Sequence, residues 1–305
     1  MIKITGLSIL SIFALFIACN GSPVTNHYSV GPAADSISKS HNRVALSNTS
    51  VPSIFTDIID SFPNYYQRDR AFGGFEYRGR VYCGPVSVSN AFMRLINNGH
   101  YQLFPRTSDV EHDQHQLITL LGSSEYFNTR NRGTSPHTLT KGLEKFFKDR
   151  GIDEAKIVYH GWRKVPQRFS ATGVQVPHLN DLKEALYTMD GVLLNFGWYR
   201  YNPQKNEYER TGGHWVTFVG YGHNGIDVDP YSLIYRDSET RNRINDYVTV
   251  EKIDSGTITG NLNNLPHDAK GYYKFRATRS RVGIIDGAVA FKLPPARKPI
   301  AGNFH

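Results

Sequence analysis

Tyr82-Cys83-Gly84-Pro85-Val86-Ser87-Val88-Ser89-Asn90-Ala91-Phe92 reads as a loop that turns into a helix. Pro85 suits the first helical position, where a missing N–H costs nothing. From there Val88, Ala91, Phe92 and Leu95 recur at the spacing of one helical face. Asn98-Gly99 supplies a stop. This places Cys83 just ahead of a helix with an apolar face. The positive end of the helix dipole favours a thiolate there. Two readings stand at this point: a nucleophilic thiol, or a small buried thiol that packs well.

The chain of 305 residues is long enough to bury a real core. A hydrophobic fraction of 39% and a mean hydropathy of −0.43 suit a soluble body. Its formal net charge of +8 favours acidic partners such as anionic envelope polymers. There is no dense basic run or nucleic-acid motif, so nucleic acid is not an expected partner.

Residues 1–18 read as an export signal: a basic start at Lys3, then an apolar run at 4–17 that is too short to span a membrane. The run ends in Phe16-Ile17-Ala18-Cys19, which resembles a bacterial lipobox, with Phe16 where Leu is usual. The resemblance implies lipidation of Cys19. Asn20 after it implies an outer-membrane destination in the cell envelope. Two or three acyl chains would hold such a protein firmly. Residues 19–50, rich in Ser, Asn, Pro and Thr, are expected to be a flexible tether. Residues 51–293 are expected to form the folded domain and 294–305 a loose Pro-rich tail. The chain has 2 cysteines, so an acylated Cys19 leaves Cys83 without a disulfide partner. A multi-cysteine zinc site is excluded, and no HExxH-type pair occurs among the 12 histidines. Neither metal nor cofactor is expected.

Within the domain, helices are expected first: a short amphipathic lead-in at 51–62, one after Cys83, one at 113–121, one opened by Ser135-Pro136 and closed by Gly151, and one capped by Asn180. Strands follow at 192–198, 214–221, 232–236, 247–253, 272–276 and 284–292, after an early one at 155–159. Helices first and strands later predict an α+β fold with a mainly antiparallel sheet.

A second chemical stretch is Thr211-Gly212-Gly213-His214-Trp215-Val216-Thr217-Phe218-Val219-Gly220. It puts His214 at the start of an apolar strand, behind two glycines that permit close approach. A strand-borne imidazole is held still and can face a thiol across a cleft. A third group should fix its tautomer. Asp237, at the end of the next strand, is the first candidate, with Asp229 and Asp227 as competitors. Trp198 and Trp215 are read either as cleft walls or as core.

Cys-Gly-Pro opening a helix, then Gly-His-Trp opening a strand, then a strand-end Asp, resembles the papain-like cysteine peptidases. The nearer likeness is to the double-glycine-leader (bacteriocin-processing) branch. It covers about residues 71–292 and is strongest at 81–90 and 212–222. The resemblance implies a helical part carrying the cysteine, packed on an antiparallel sheet carrying the histidine. It also implies Cys83 as nucleophile, His214 as general base and acid, Asp237 as orienting acid, and a peptide or protein substrate. Tyr77 stands where the family commonly has an oxyanion-donating Gln, and the nearest upstream glutamine is Gln67. The same triad also runs deamidation, transpeptidation and cell-wall amide hydrolysis, and an inherited cleft can serve a non-catalytic binding lipoprotein.

Overall fold

The computed structural model describes residues 62–241, 244–260, 265–278 and 281–296. The export signal, Cys19, the tether, residues 51–61 of the lead-in and the tail beyond 296 lie outside the described residues.

The helical part comes first: α1 (Cys83–Asn97), α2 (Val110–Gly122) and α3 (Pro136–Asp149). Strand β1 (Lys156–Gly161) and helix α4 (Leu179–Thr188) lead into the sheet. Long strands β2 (Gly191–Asn202), β3 (Glu207–His223) and β4 (Val228–Arg236) follow. Short ones come next: β5 (Asp246–Thr249), β6 (Glu251–Lys252), β7 (Thr257–Thr259), β8 (His267–Asp268) and β9 (Tyr273–Arg276). The last is β10 (Val282–Lys292). The sheet runs β5-β4-β3-β2-β10-β9-β6, with β1 also on β10 and β7 joining β3 to β8. Its pairings are antiparallel apart from β3 with β7. The molecule is therefore α+β with helices before strands.

Several elements differ from the sequence reading. α1 begins at Cys83 itself, so Pro85 is its third residue rather than its first. The helix is also not amphipathic in use. Ser87, Ser89 and Asn90 are as buried as Val88 and Phe92, because α2 and the sheet enclose it. Its polar side chains bond within the protein: Gln114 Nε2 donates to Asn90 Oδ1 at 3.0 Å, and Ser89 Oγ to the Val86 carbonyl at 2.8 Å, while Asn90 Nδ2 is buried without a partner. α4 begins at Leu179 after His178, so Asn180 lies inside its first turn and caps nothing. β3 begins seven residues before His214, at Glu207, because the β2–β3 hairpin extends pairing out to Asn202 and Glu207. Asp229-Pro230 lies before the expected 232–236 strand but within β4, which begins at Val228. The expectation for α3 matches in detail. Ser135 accepts from the Thr138 N–H, Pro136 follows, and Leu139, Leu143, Phe146 and Phe147 are buried.

The sheet has one face against α1 and α3 and the other against α4. Side chains alternate along a strand. Trp215 and Val219 of β3 join Val88, Ala91 and Phe92 of α1 in the first core. Val216 and Phe218 join Leu179, Leu182 and Leu186 of α4 in the second. α1 runs along the sheet in a defined direction. Near its C-terminus Arg94 Nη1 donates to the Asp190 carbonyl, just before β2, and Phe92 stacks edge-on to Phe291. Near its N-terminus Ser87 Oγ donates to the Trp215 carbonyl at 3.0 Å, and Thr217 Oγ1 to the Ser87 carbonyl at 2.9 Å.

Candidate active site

His214 and Asp237 meet directly: Nε2 and Oδ1 are 2.7 Å apart. The register explains why. Thr217 pairs with Arg236, so Asp237 continues β4 opposite Val216, two residues and the same face from His214. Both are sheltered, with side chains 4% and 19% exposed. The Glu239 N–H also donates to Asp237 Oδ1, at 2.8 Å, and Asn64 Nδ2 donates to the Asp237 carbonyl. The half-buried Trp198 stacks on the imidazole with ring planes 21° apart. Trp215 is core: its indole N–H donates to the Thr134 carbonyl at 2.8 Å.

The competing carboxylates lie elsewhere. Asp229 accepts from Ser232 Oγ, Thr249 Oγ1 and the Tyr231 N–H, which order the start of β4. Asp227 sits exposed in the turn after β3, where its carbonyl closes onto the Asn224 N–H.

Cys83 opens α1 and is buried, in no disulfide. Two independent tethers fix this helix start against the His214 end of β3. One is Ser87 on Trp215 and Thr217. The other runs through Thr134, which packs so closely on Gly84 that a Cβ there would lie 2.9 Å from it, and which accepts from Trp215. The first i→i−4 bond of the helix is Val86 N–H to the Tyr82 carbonyl. The N–H groups of Cys83 and Gly84 precede it, and Pro85 has none.

Gln67 is the residue that sequence reasoning set aside and the fold brings in. It is fully buried. Its Nε2 donates to the Gly79 carbonyl at 3.0 Å and to Glu239 Oε1 at 2.5 Å. Its Oε1 accepts from Ser238 Oγ at 2.7 Å, and its backbone N–H donates to the Ser238 carbonyl. One side chain thus joins the loop that delivers Cys83 to the loop that delivers Asp237. Tyr77 and Arg78 in the former hold left-handed φ of 54° and 55°. Such conformations cost of order 1–3 kcal/mol each and persist where surroundings enforce them. Gly79 is required, since a Cβ would fall 1.7 Å from the Gln67 carbonyl oxygen. No local pattern marks Gln67, because its partners are 12 and 171 residues away.

Glu239 completes this cluster. Arg68 Nε reaches its Oε2 at 2.8 Å and Arg68 Nη2 its Oε1 at 3.0 Å. Burial pushes its carboxyl up, against the pull of Arg68 and of nearby His214. A groove of about 600 Å³ lies on the other side of Tyr82, between the 74–77 loop and the 122–130 turn; His214 and Asp237 do not line it. Among the described residues no group of three His, Cys, Asp or Glu side chains is placed to hold a metal ion, and no helix is long and apolar enough to cross a membrane.

No protein-family model, no curated protein and no solved structure matches this chain.

Proposed function

We propose that this chain is a papain-like cysteine peptidase that hydrolyses peptide bonds through Cys83, His214 and Asp237, held at a bacterial envelope by lipid on Cys19. The observation that carries the reading is the His214–Asp237 bond of 2.7 Å on the strand against which the Cys83 end of α1 is tied. A half-buried carboxylate on Nε2 fixes the tautomer and favours the imidazolium. That leaves Nδ1 as the nitrogen assigned to the thiol.

In the resting pair Cys83 is thiolate and His214 imidazolium. The sulfur attacks the carbonyl carbon, and the C=O electron pair moves onto oxygen beside the Cys83 N–H. Collapse of that intermediate breaks the C–N bond, and the amine leaves with the proton from His214. A thioester remains. His214 then takes a proton from water, whose oxygen attacks the thioester carbon. The acid departs, and thiolate and imidazolium are restored. Gln67 is not the second oxyanion donor in this scheme, since Gly79 and Glu239 occupy its amide. Its role is to hold the two loops in register.

The test is cleavage of a broad peptide library by the wild type and by Cys83→Ala. Cleavage that disappears in the variant supports the nucleophile. Cleavage that persists overturns it.

A further inference from the structure

The groove beside Tyr82 has the volume of a ligand site, about 600 Å³, against a usual range of about 300–1,000 Å³. Tyr82 lines it and is joined by a peptide bond to Cys83. His214 and Asp237 take no part in it, so it neighbours the proposed catalytic residues without belonging to them.

Three features make this space favour positive charge. Glu76 is the one carboxylate on its walls, and among the described residues no hydrogen bond or ion pair engages it. The second feature is the C-terminal end of α2, which reaches the groove through Thr119, Gly122 and Ser123. A helix ends on carbonyls that carry about half a negative charge, and a cation there is stabilising. α2 has Glu111 and Asp113 in its first turn but no basic residue in its last. Its positive end is therefore matched by its own side chains, and its negative end is not. The third feature is an open aromatic face. Phe75 and Tyr82 are buried and stack on each other at 5.0 Å, so the ring free to meet a ligand is that of Tyr77, 46% exposed and next to Glu76. Such a face attracts a cation.

The helix end and the floor are pressed together. A Cβ on Gly122 would lie 2.6 Å from the Tyr82 ring, so only glycine lets the last turn of α2 meet it. One cation, Arg130, also lines the groove, but its Nε donates to Asn128 Oδ1 at 2.9 Å within its own turn, and it makes no ion pair with Glu76.

We infer that this groove binds a basic side chain, Lys or Arg, of a peptide: Glu76 and the end of α2 hold the charge, and Tyr77 covers the stem. The inference rests on the peptidase reading for the peptide's being a substrate, while the binding itself does not need the chemistry. A peptide amino terminus presents the same ammonium group, and matched peptides separate the two sources.

The full chain carrying Cys83→Ala is titrated by calorimetry with short acetylated, amidated peptides that differ at one central residue: Lys, Arg, Gln or Glu. A further Gln peptide has a free amino terminus. The Lys and Arg peptides should bind about 10-fold more tightly than the acetylated Gln peptide, and the Glu peptide most weakly. Adding Glu76→Gln, a change at an exposed side chain, should bring Lys and Gln to within about twofold, and Glu76→Asp should restore part of the gap. Equal binding of the Lys and Gln peptides, a preference untouched by Glu76→Gln, tightest binding of the Glu peptide, a gain confined to the free amino terminus, or no binding by any peptide overturns the inference. Cys83-dependent cleavage with no charge preference defeats the groove assignment alone. A charge preference that needs Glu76, alongside cleavage that ignores Cys83, defeats the peptidase reading alone.

Discussion

Two polar clusters differ in how their charges are balanced: one joins the Cys83 loop to the end of β4, the other centres on Asp286 in the bulge of β10. Beside the Cys83 loop, Asp237 and Glu239 face His214 and Arg68, so two carboxylates meet two groups able to carry positive charge. Beyond Gly213, Asp286 alone faces Arg210 and Arg163. The first is assembled from loops and strand ends and stays partly open, with Asp237 19% exposed. The second is set into the middle of the sheet, with Asp286 at 0%. The two should therefore answer differently to mutation. A balanced, partly open cluster tolerates loss of a charge but loses orientation. A buried one with excess positive charge loses stability when its carboxylate goes.

Cys83→Ala should have the largest effect, lowering peptide cleavage by about 10⁴-fold or more with the fold intact by circular dichroism. Asp237→Asn keeps the shape but cannot support the imidazolium, so kcat should fall by about 10²–10⁴-fold while urea stability changes by about 1 kcal/mol. Asp286→Asn should invert that pattern. Stranding Arg210 in the sheet should lower the unfolding free energy by about 3–5 kcal/mol in urea titration. Comparable stability losses in the two Asn variants would erase the contrast drawn between the clusters.

How much of this was legible follows from the range of each interaction. α3 was readable to the residue because its cap, its proline and its apolar stripe are local. The start of α1 was readable to within two residues, but its full burial was not. Ser87 and Asn90 look like a solvent face until Trp215 and Gln114, 128 and 24 residues away, arrive to bond them. His214 and Asp237 could be nominated because the β3–β4 hairpin makes their pairing nearly local. Gln67 could not, because its partners Gly79, Ser238 and Glu239 come from two loops far apart in sequence, which alternation and spacing do not encode.

Smaller effects sharpen the picture. Ser135→Ala removes the α3 cap, outside both clusters, and should cost about 1 kcal/mol without changing kcat. Glu239→Gln tests the electrostatics of the first cluster. Burial raises the folded-state pKa of Glu239 above its ordinary value of 4.5. The unfolded chain therefore releases this proton first as pH rises. Wild-type stability should fall from about pH 4.5 upward through the raised value, then level off. The variant lacks that step, so the stability difference should move in favour of Gln across that window. A difference that moves the other way would mean that Arg68 outweighs burial.

The central claim is that Asp237 acts on Cys83 through His214. It is tested most directly by the rate of Cys83 alkylation with iodoacetamide at mildly acidic pH, near 5.5, where an ordinary thiol is almost wholly protonated. The account predicts rapid modification of the folded wild type, with a marked slowing in Asp237→Asn and a greater one in His214→Ala. Equal rates in all three proteins would contradict it.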